Sequence, residues 1–485
     1  MQATPVSPQP LPNEIFRATN TKTVNVIVAV ISIAFGTIGA ILLMPRNATQ
    51  SGALFPSAVS LTLGLLFVPV AAVLRNPRMI LRSEYLVAVA PIYWLLLDLL
   101  QGVYSMEAIG QNAITQAFLS IGLFVSMVWI GTIQKPWRIP KFILNSVNPE
   151  FSTDSYFILA IIAFLIGMSN YAIACNFDIP QMFYYVGQER WAAPWGRGQL
   201  GGWDAFLDHL QYFGYLLPVL TVVVSRYAGW RSPRTIVCVL MAAIMTLFLA
   251  QSGSRRVIGV VVGMALVIWV LVQPKLRVRH FLFGVFAVAA LLLVLQVMLE
   301  YRNIGLGVLV GQKSEASISR LTKQSVLEEK YLRVDDNFYR LCQIIQLIPH
   351  TYPYVYHRYI FYVLVRPVPR VFWPNKPVDP GFDLPTALGV EGVSYSSSVL
   401  GELYMSLGFV GIAIGGWFFG RVSSMANKLL GQCSTIAALV VYSIVVMALF
   451  SGLRSLLDLV LVSYVVLAWV ALSRLFQRIQ VNARL

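Results

Sequence analysis

The sequence predicts an all-α polytopic membrane protein of about twelve transmembrane helices, with one long polar loop set before the last three. Three observations carry that expectation. Of 485 residues, 57% are hydrophobic and only 12% charged, where a soluble globular chain carries about 25% charged residues. Apolar runs recur at the ~20-residue length needed to cross ~30 Å of hydrocarbon. Lysine and arginine concentrate in alternate connections between those runs, as membrane orientation requires. The formal charge of +15 therefore reads as a set of orientation signals, and nucleic acid is not an expected partner.

In chain order, residues 1–23 (MQATPVSPQPLPNEIFRATNTKT) are polar and proline-rich without the basic-then-apolar layout of a cleaved signal, and read as a disordered cytoplasmic tail. Residues 24–299 hold about nine spans: 24–43, 54–74, 85–104, 113–133, 156–175, 211–227, 234–251, 256–273 and 280–299. A long extracytoplasmic loop, 300–398, follows, then three spans at 399–420, 434–451 and 455–473, and a cytoplasmic tail, 474–485. Each span must be helical, because a lipid-facing backbone has to satisfy its own hydrogen bonds.

Orientation follows from counting. With the N-terminus inside, the inner segments hold nineteen basic residues and the short outer connections six. Both termini are thus expected in the cytoplasm. The eleven basic residues of the 300–398 loop are compatible with that, since long loops cross largely regardless of charge.

Within the loop, 300–340 is mixed in charge and reads as surface helix with a solvated face. Residues 338–365 are apolar and aromatic but interrupted by Pro349 and Pro353, which suits an interfacial or re-entrant segment. The outer connection 176–210 offers Trp191, Trp195 and Trp203, as a headgroup-level aromatic belt or as faces for stacking sugars. Cys175, Cys238, Cys342 and Cys433 have no C-x-x-C spacing, so no metal or redox centre is indicated. Cys175 and Cys342 fall on the same predicted face, leaving open either a disulfide or two buried thiols.

Chemistry is expected at the outer face. Arg255 and Arg256 sit in the tight connection Gln251-Ser-Gly-Ser-Arg-Arg256, where adjacent guanidiniums need water or an anion. Such forks match phosphate oxygens; two snorkelling arginines are the plainer alternative. Further on comes Arg366-Pro-Val-Pro-Arg370-Val-Phe-Trp373-Pro-Asn-Lys376-Pro-Val-Asp379. Proline fixes its own φ and extends the residue before it, so a stiff extended rod presenting Arg366, Arg370 and Lys376 to an anionic headgroup is expected. Trp373, Asp379 and Tyr404 complete the candidate substrate-binding set. Glu402 lies where the chain re-enters the membrane and is expected to pair with an arginine of the loop or to serve as a base. By residue type His350 and His357 are the other general-base candidates.

The string R-P-V-P-R-x-x-W-P-N-K-P followed by S-x-x-G-E-L-Y-M-S-L-G, after this layout of spans, resembles the Wzy-type oligosaccharide repeat-unit polymerases of O-antigen and exopolysaccharide biosynthesis. The likeness covers about Ser252 to Gly416, and Leu407 departs from the aromatic residue often found before that glycine. The resemblance implies a GT-C-like, metal-independent inverting glycosyltransferase without a cofactor, in the bacterial inner membrane. It would move a glycan from undecaprenyl pyrophosphate onto a lipid-linked repeat unit, with a flippase and a chain-length regulator as partners besides the bilayer and the undecaprenyl-pyrophosphate-linked oligosaccharide. By position it assigns the pyrophosphate to Arg255 or Arg256, Arg366 and Arg370, with Lys376 assisting, and makes Glu402 a base or an arginine-orienting carboxylate. The rivals are an O-antigen ligase using His350 or His357, a lipid-linked sugar transporter lined by mid-span charges such as Asp98 and Asp458, and a non-catalytic assembly subunit.

Overall fold

The computed structural model describes residues 23–482 apart from 104–105, 139, 148, 191, 197–203, 274–275, 302–304, 306, 308–330, 333, 378, 391–393 and 433–434. Almost all of the expected N-terminal tail, most of the mixed-charge stretch, Trp191, Trp203 and Cys433 therefore lie outside the described residues.

Among the described residues every regular element is helical. The order is α1 (Thr23–Leu42), α2 (Phe55–Arg75), α3 (Ser83–Leu100), α4 (Gln111–Ile133), α5 (Lys141–Val147), α6 (Thr153–Ala174), α7 (Ile179–Val186), α8 (Asp204–Gly214) and α9 (Leu217–Ala228). Then follow α10 (Pro233–Gln251), α11 (Arg255–Leu271), α12 (Val278–Tyr301), α13 (Asn337–Leu347), α14 (His357–Val365), α15 (Leu384–Ala387), α16 (Ser398–Gln432), α17 (Ile436–Gly452) and α18 (Leu456–Asn482). Ten stretches are long and apolar enough to cross a membrane, with α8 and α9 counted as one. The chain is a multi-pass membrane protein. The other two expected spans are the 17-residue helices α11 and α17. α17 is apolar all round and buried along nearly its whole length, which marks an interior helix. α18 continues through most of the expected C-terminal tail.

One expected span is corrected. α16 is broken at Leu407 (φ −149°, ψ 21°) and Gly408 (φ 62°, ψ −142°). A methyl on Gly411 would fall 2.2 Å from the Leu403 carbonyl oxygen, and one on Gly415 2.3 Å from the Leu403 side chain. Residues 398–406 therefore double back on the helix that follows. Length gives the reason: the 34 residues Ser398–Gly431, run straight at 1.5 Å each, would overshoot ~30 Å of hydrocarbon. The break frees carbonyls, and those of Met405 and Ser406 accept from the Val355 (2.9 Å) and Tyr356 (3.1 Å) amides. Gly408 is required at the crease by its positive φ and by the Tyr354 hydroxyl, 2.9 Å from where a Cβ would stand.

Beyond the crease α16 crosses α4 with backbones nearly touching, a Cβ on Gly420 falling 2.1 Å from the Val128 carbonyl oxygen. Small residues permit such close crossings between membrane helices. The region between α12 and α16 contributes α13 and α14, eleven and nine residues long, too short to span. Leu341, Cys342, Ile344 and Ile345 of α13 are buried in the core that α1–α4 share with the start of α16. Cys175 and Cys342 are both free thiols.

Candidate functional site

The ends of α3, α10 and α17, the starts of α11, α16 and α18, and residues 331–332 and 334–337 meet at one end of the bundle. Their meeting begins with an irregularity in α3, which contains a single π-helical turn at Ile92–Leu96, a feature frequent at functional sites. The Trp94 carbonyl there accepts from Asn337 Nδ2 at 2.9 Å. About two turns on, Gln101 donates to the Leu332 carbonyl (3.0 Å) and accepts from the Leu332 amide (2.7 Å). Asp98 accepts from the Val334 amide. These bonds grip the chain just before α13 and so place Asp335.

Asp335 sits between two arginines. Its Oδ1 lies 3.2 Å from Arg255 Nη2, and its Oδ2 accepts from Arg454 Nε. Arg454 then reaches Asp458 Oδ2 at 3.0 Å, and the other oxygen of Asp458 pairs with Arg256 Nη1. Three guanidiniums and two carboxylates thus alternate from Arg255 to Arg256. The first turns of α11 and α18 open onto this chain, and helix N-termini favour anions. A guanidinium has five N–H donors in a planar fork that suits an anion's oxygens. Arg256 keeps 32% of its side chain exposed and Arg454 23%.

Burial raises the Asp335 carboxyl, but the charges of Arg454 and Arg255 outweigh it and hold the group below the usual carboxylate range. Burial likewise opposes charge on Arg454, and the two aspartates overcome it, raising its pKa. Because the folded value for Asp335 is depressed, its contribution to stability is present above the unfolded value near 3.8 and is lost as pH falls through the folded value. Asp335→Asn is expected to cost about 1–3 kcal/mol at neutral pH, with the difference from wild type shrinking below about pH 4. Melting curves of the two proteins across that range check this, and a gap independent of pH contradicts it.

Glu402 stands beside the chain of charges. It is 2% exposed and accepts from Tyr359 Oη (2.5 Å), Ser455 Oγ (2.7 Å) and the Leu456 amide (2.6 Å). It caps the N-terminus of α18 and fixes the turn that carries Arg454, so the expected arginine pairing is corrected: hydroxyls and an amide hold this carboxylate. Tyr359 continues the site along α14. Its phenol is raised by burial and then by the Glu402 charge, so it stays a donor. Tyr362 follows one turn later, and its hydroxyl accepts from Arg366 Nη1. Glu402, Tyr359, Tyr362 and Arg366 form one connected row.

The extended rod at 366–376 is corrected as well. Arg366 caps α14 in helical conformation (φ −55°, ψ −40°), and the amides of Val368, Phe372, Trp373 and Lys376 close successive tight turns. Lys376 is the reason: its ammonium turns inward and donates to the Arg366 and Val368 carbonyls, both at 2.6 Å, which overrides the extended preference before proline. Arg370 is exposed and donates to the Pro374 carbonyl at 2.9 Å. Half-buried Trp373 lies edge-on to Phe361. Asp379 accepts from the Gly381 amide at 2.7 Å. Tyr404 is buried and donates to Gln116 Oε1 at 3.0 Å. Trp195 donates to Gln251 Oε1 at 3.0 Å, in the connection just before Arg255. His350 and His357 are exposed. Asp98 and Asp458 lie in terminal turns of α3 and α18, so neither marks the middle of a span.

Sequence reasoning missed Arg454, Asp335, Tyr359 and Ser455. One signal was present: Ser252-Gly-Ser-Arg255 and Ser451-Gly-Leu-Arg454 repeat the same S-G-x-R string in two connections between spans. Asp335 had been expected on a solvated face. Compared with models of protein families, with curated proteins and with solved structures, the chain matches none.

Proposed function

We propose that the chain is a GT-C-like glycosyltransferase that polymerises undecaprenyl-pyrophosphate-linked oligosaccharides at the outer face of a bacterial inner membrane. The observation that carries this reading is the convergence of Arg255, Arg256 and Arg454 at the starts of two membrane helices, beside Glu402 and the row leading to Arg366. Charged side chains set at one end of the bundle suit an anionic headgroup at a membrane surface. The resemblance of the Arg366–Gly408 region to Wzy-type polymerases supplies the substrate class, and the excess of basic residues at the other ends of the spans supports an outward orientation.

In this reading Asp335 and Asp458 hold the three guanidiniums in place, and the partly exposed Arg256 and Arg454 meet the diphosphate. The anomeric C–O bond to the diphosphate breaks as the acceptor hydroxyl oxygen attacks from the opposite face, and the hydroxyl proton leaves to solvent or a nearby base. Negative charge grows on the departing diphosphate, and fixed arginines stabilise it without reorganising. Glu402 serves as an orienting carboxylate: it fixes the turn of Arg454 and, through Tyr359, the helix that presents Arg366. A transporter would place its charges near mid-membrane, and here Asp98 and Asp458 occupy helix ends.

The test is the chain-length ladder of lipid-linked glycan in cells. Arg366→Ala is expected to abolish long chains with the protein still in the membrane, and Arg370→Ala to reduce them, since Arg366 alone of the two joins the row to Glu402. Wild-type ladders from both variants contradict the site.

A further inference from the structure

The far end of α16 poses a separate problem, independent of the reading just given. Arg421 is 4% exposed, and among the described residues no carboxylate pairs with it. Its Nη2 donates to the Lys135 carbonyl at 2.8 Å, while Nε and Nη1 are buried without a hydrogen-bond partner. Arg82, also buried, has Glu84 at 2.6 Å. Arg421 instead lies against indoles: its guanidinium carbon is 5.0 Å from the Trp137 ring and 5.9 Å from that of Trp417. Aromatic faces attract a cation but leave its charge uncompensated, and a buried charge in a membrane helix is costly unless an anion meets it.

Position says which anion. Lys135 comes two residues after the end of α4 at Ile133, which puts Arg421 level with the end of a span, where lipid headgroups lie. Lys135 and Arg138 are exposed on either side of Trp137. Trp137, whose ring lies against the Arg421 guanidinium, is itself 39% exposed in a connection with no helix. We propose that Arg421, flanked by Lys135 and Arg138 and capped by Trp137, binds the headgroup phosphate of an anionic phospholipid. The bidentate geometry of a guanidinium suits a phosphate, and basic pockets between membrane helices take such headgroups.

Native mass spectrometry of the full chain, released from micelles containing phosphatidylglycerol or phosphatidylcholine, tests it. Wild type is expected to retain one phosphatidylglycerol in preference to phosphatidylcholine, and Arg421→Gln to lower that retention about tenfold. The exposed pair Lys135→Gln/Arg138→Gln leaves every buried contact intact and is expected to lower it about fivefold, so the test survives if Arg421→Gln does not fold. Equal retention of the two lipids by wild type, or unchanged retention in the double variant or in folded Arg421→Gln, overturns the proposal. Displacement of the lipid by millimolar inorganic phosphate assigns the site to a free anion and overturns the lipid assignment.

Discussion

Arg454→Ala is expected to abolish glycan elongation and to destabilise the protein more than any other single change at the site. Arg454 is bonded to both Asp335 and Asp458. Its loss leaves two carboxylates sharing Arg255 and Arg256 at the edges, and removing one partner of a buried ion pair costs about 3–5 kcal/mol. The rate should fall about 10²–10³-fold, as for loss of one donor to developing negative charge. Arg454→Lys separates the two effects. An ammonium keeps the charge between the aspartates but cannot span both with a planar fork, so melting is expected to recover further than elongation. Full recovery of elongation in the lysine variant would mean that only charge matters at this position.

Glu402→Ala is expected to have the second-largest effect, through a different route. It strands three donors at once, the Tyr359 and Ser455 hydroxyls and the Leu456 amide. Each buried group left without a partner costs about 1–3 kcal/mol, so a loss of about 3 kcal/mol or more is expected in thermal unfolding. Tyr359→Phe, which removes one donor and leaves the carboxylate its other two, should lose about 1 kcal/mol. If Tyr359→Phe cost as much as Glu402→Ala, the carboxylate would not be the centre of that group of bonds.

The spans were legible because the signal for them is additive: length and apolar composition sum over ~20 residues, and one polar residue does not erase them. The break in α16 was not. Leu407 and Gly408 open an apolar run that continues to Gly420, and reversal of the chain there depends on Tyr354, Val355 and Tyr356, some fifty residues earlier, which fill the gap and take up the freed carbonyls. The proline rule failed at Arg366 for the same reason, since local preference there yields to two hydrogen bonds from Lys376.

The site divides in a similar way. Arg255, Arg256, Arg366 and Glu402 could be picked out because a charge next to an apolar run is conspicuous in a sequence. Asp335 lay hidden among other charges, and nothing in the sequence ties it to Arg454, 119 positions away. Gln101 and Asn337, which set the depth of Asp335, carry no charge to attract notice. Lys376 and Asp379 lie in the same conspicuous string, and there the charge also shapes the loop: Lys376 donates to two backbone carbonyls and Asp379 accepts from a backbone amide.

The most direct measurement gives purified wild-type protein, reconstituted in vesicles, a polyprenyl-diphosphate-linked oligosaccharide as its only substrate. The account predicts longer lipid-linked glycans and one free polyprenyl diphosphate for each unit joined, with neither product from Arg454→Ala. Folded wild-type protein that consumes no substrate, or variant protein that elongates at the wild-type rate, would contradict it.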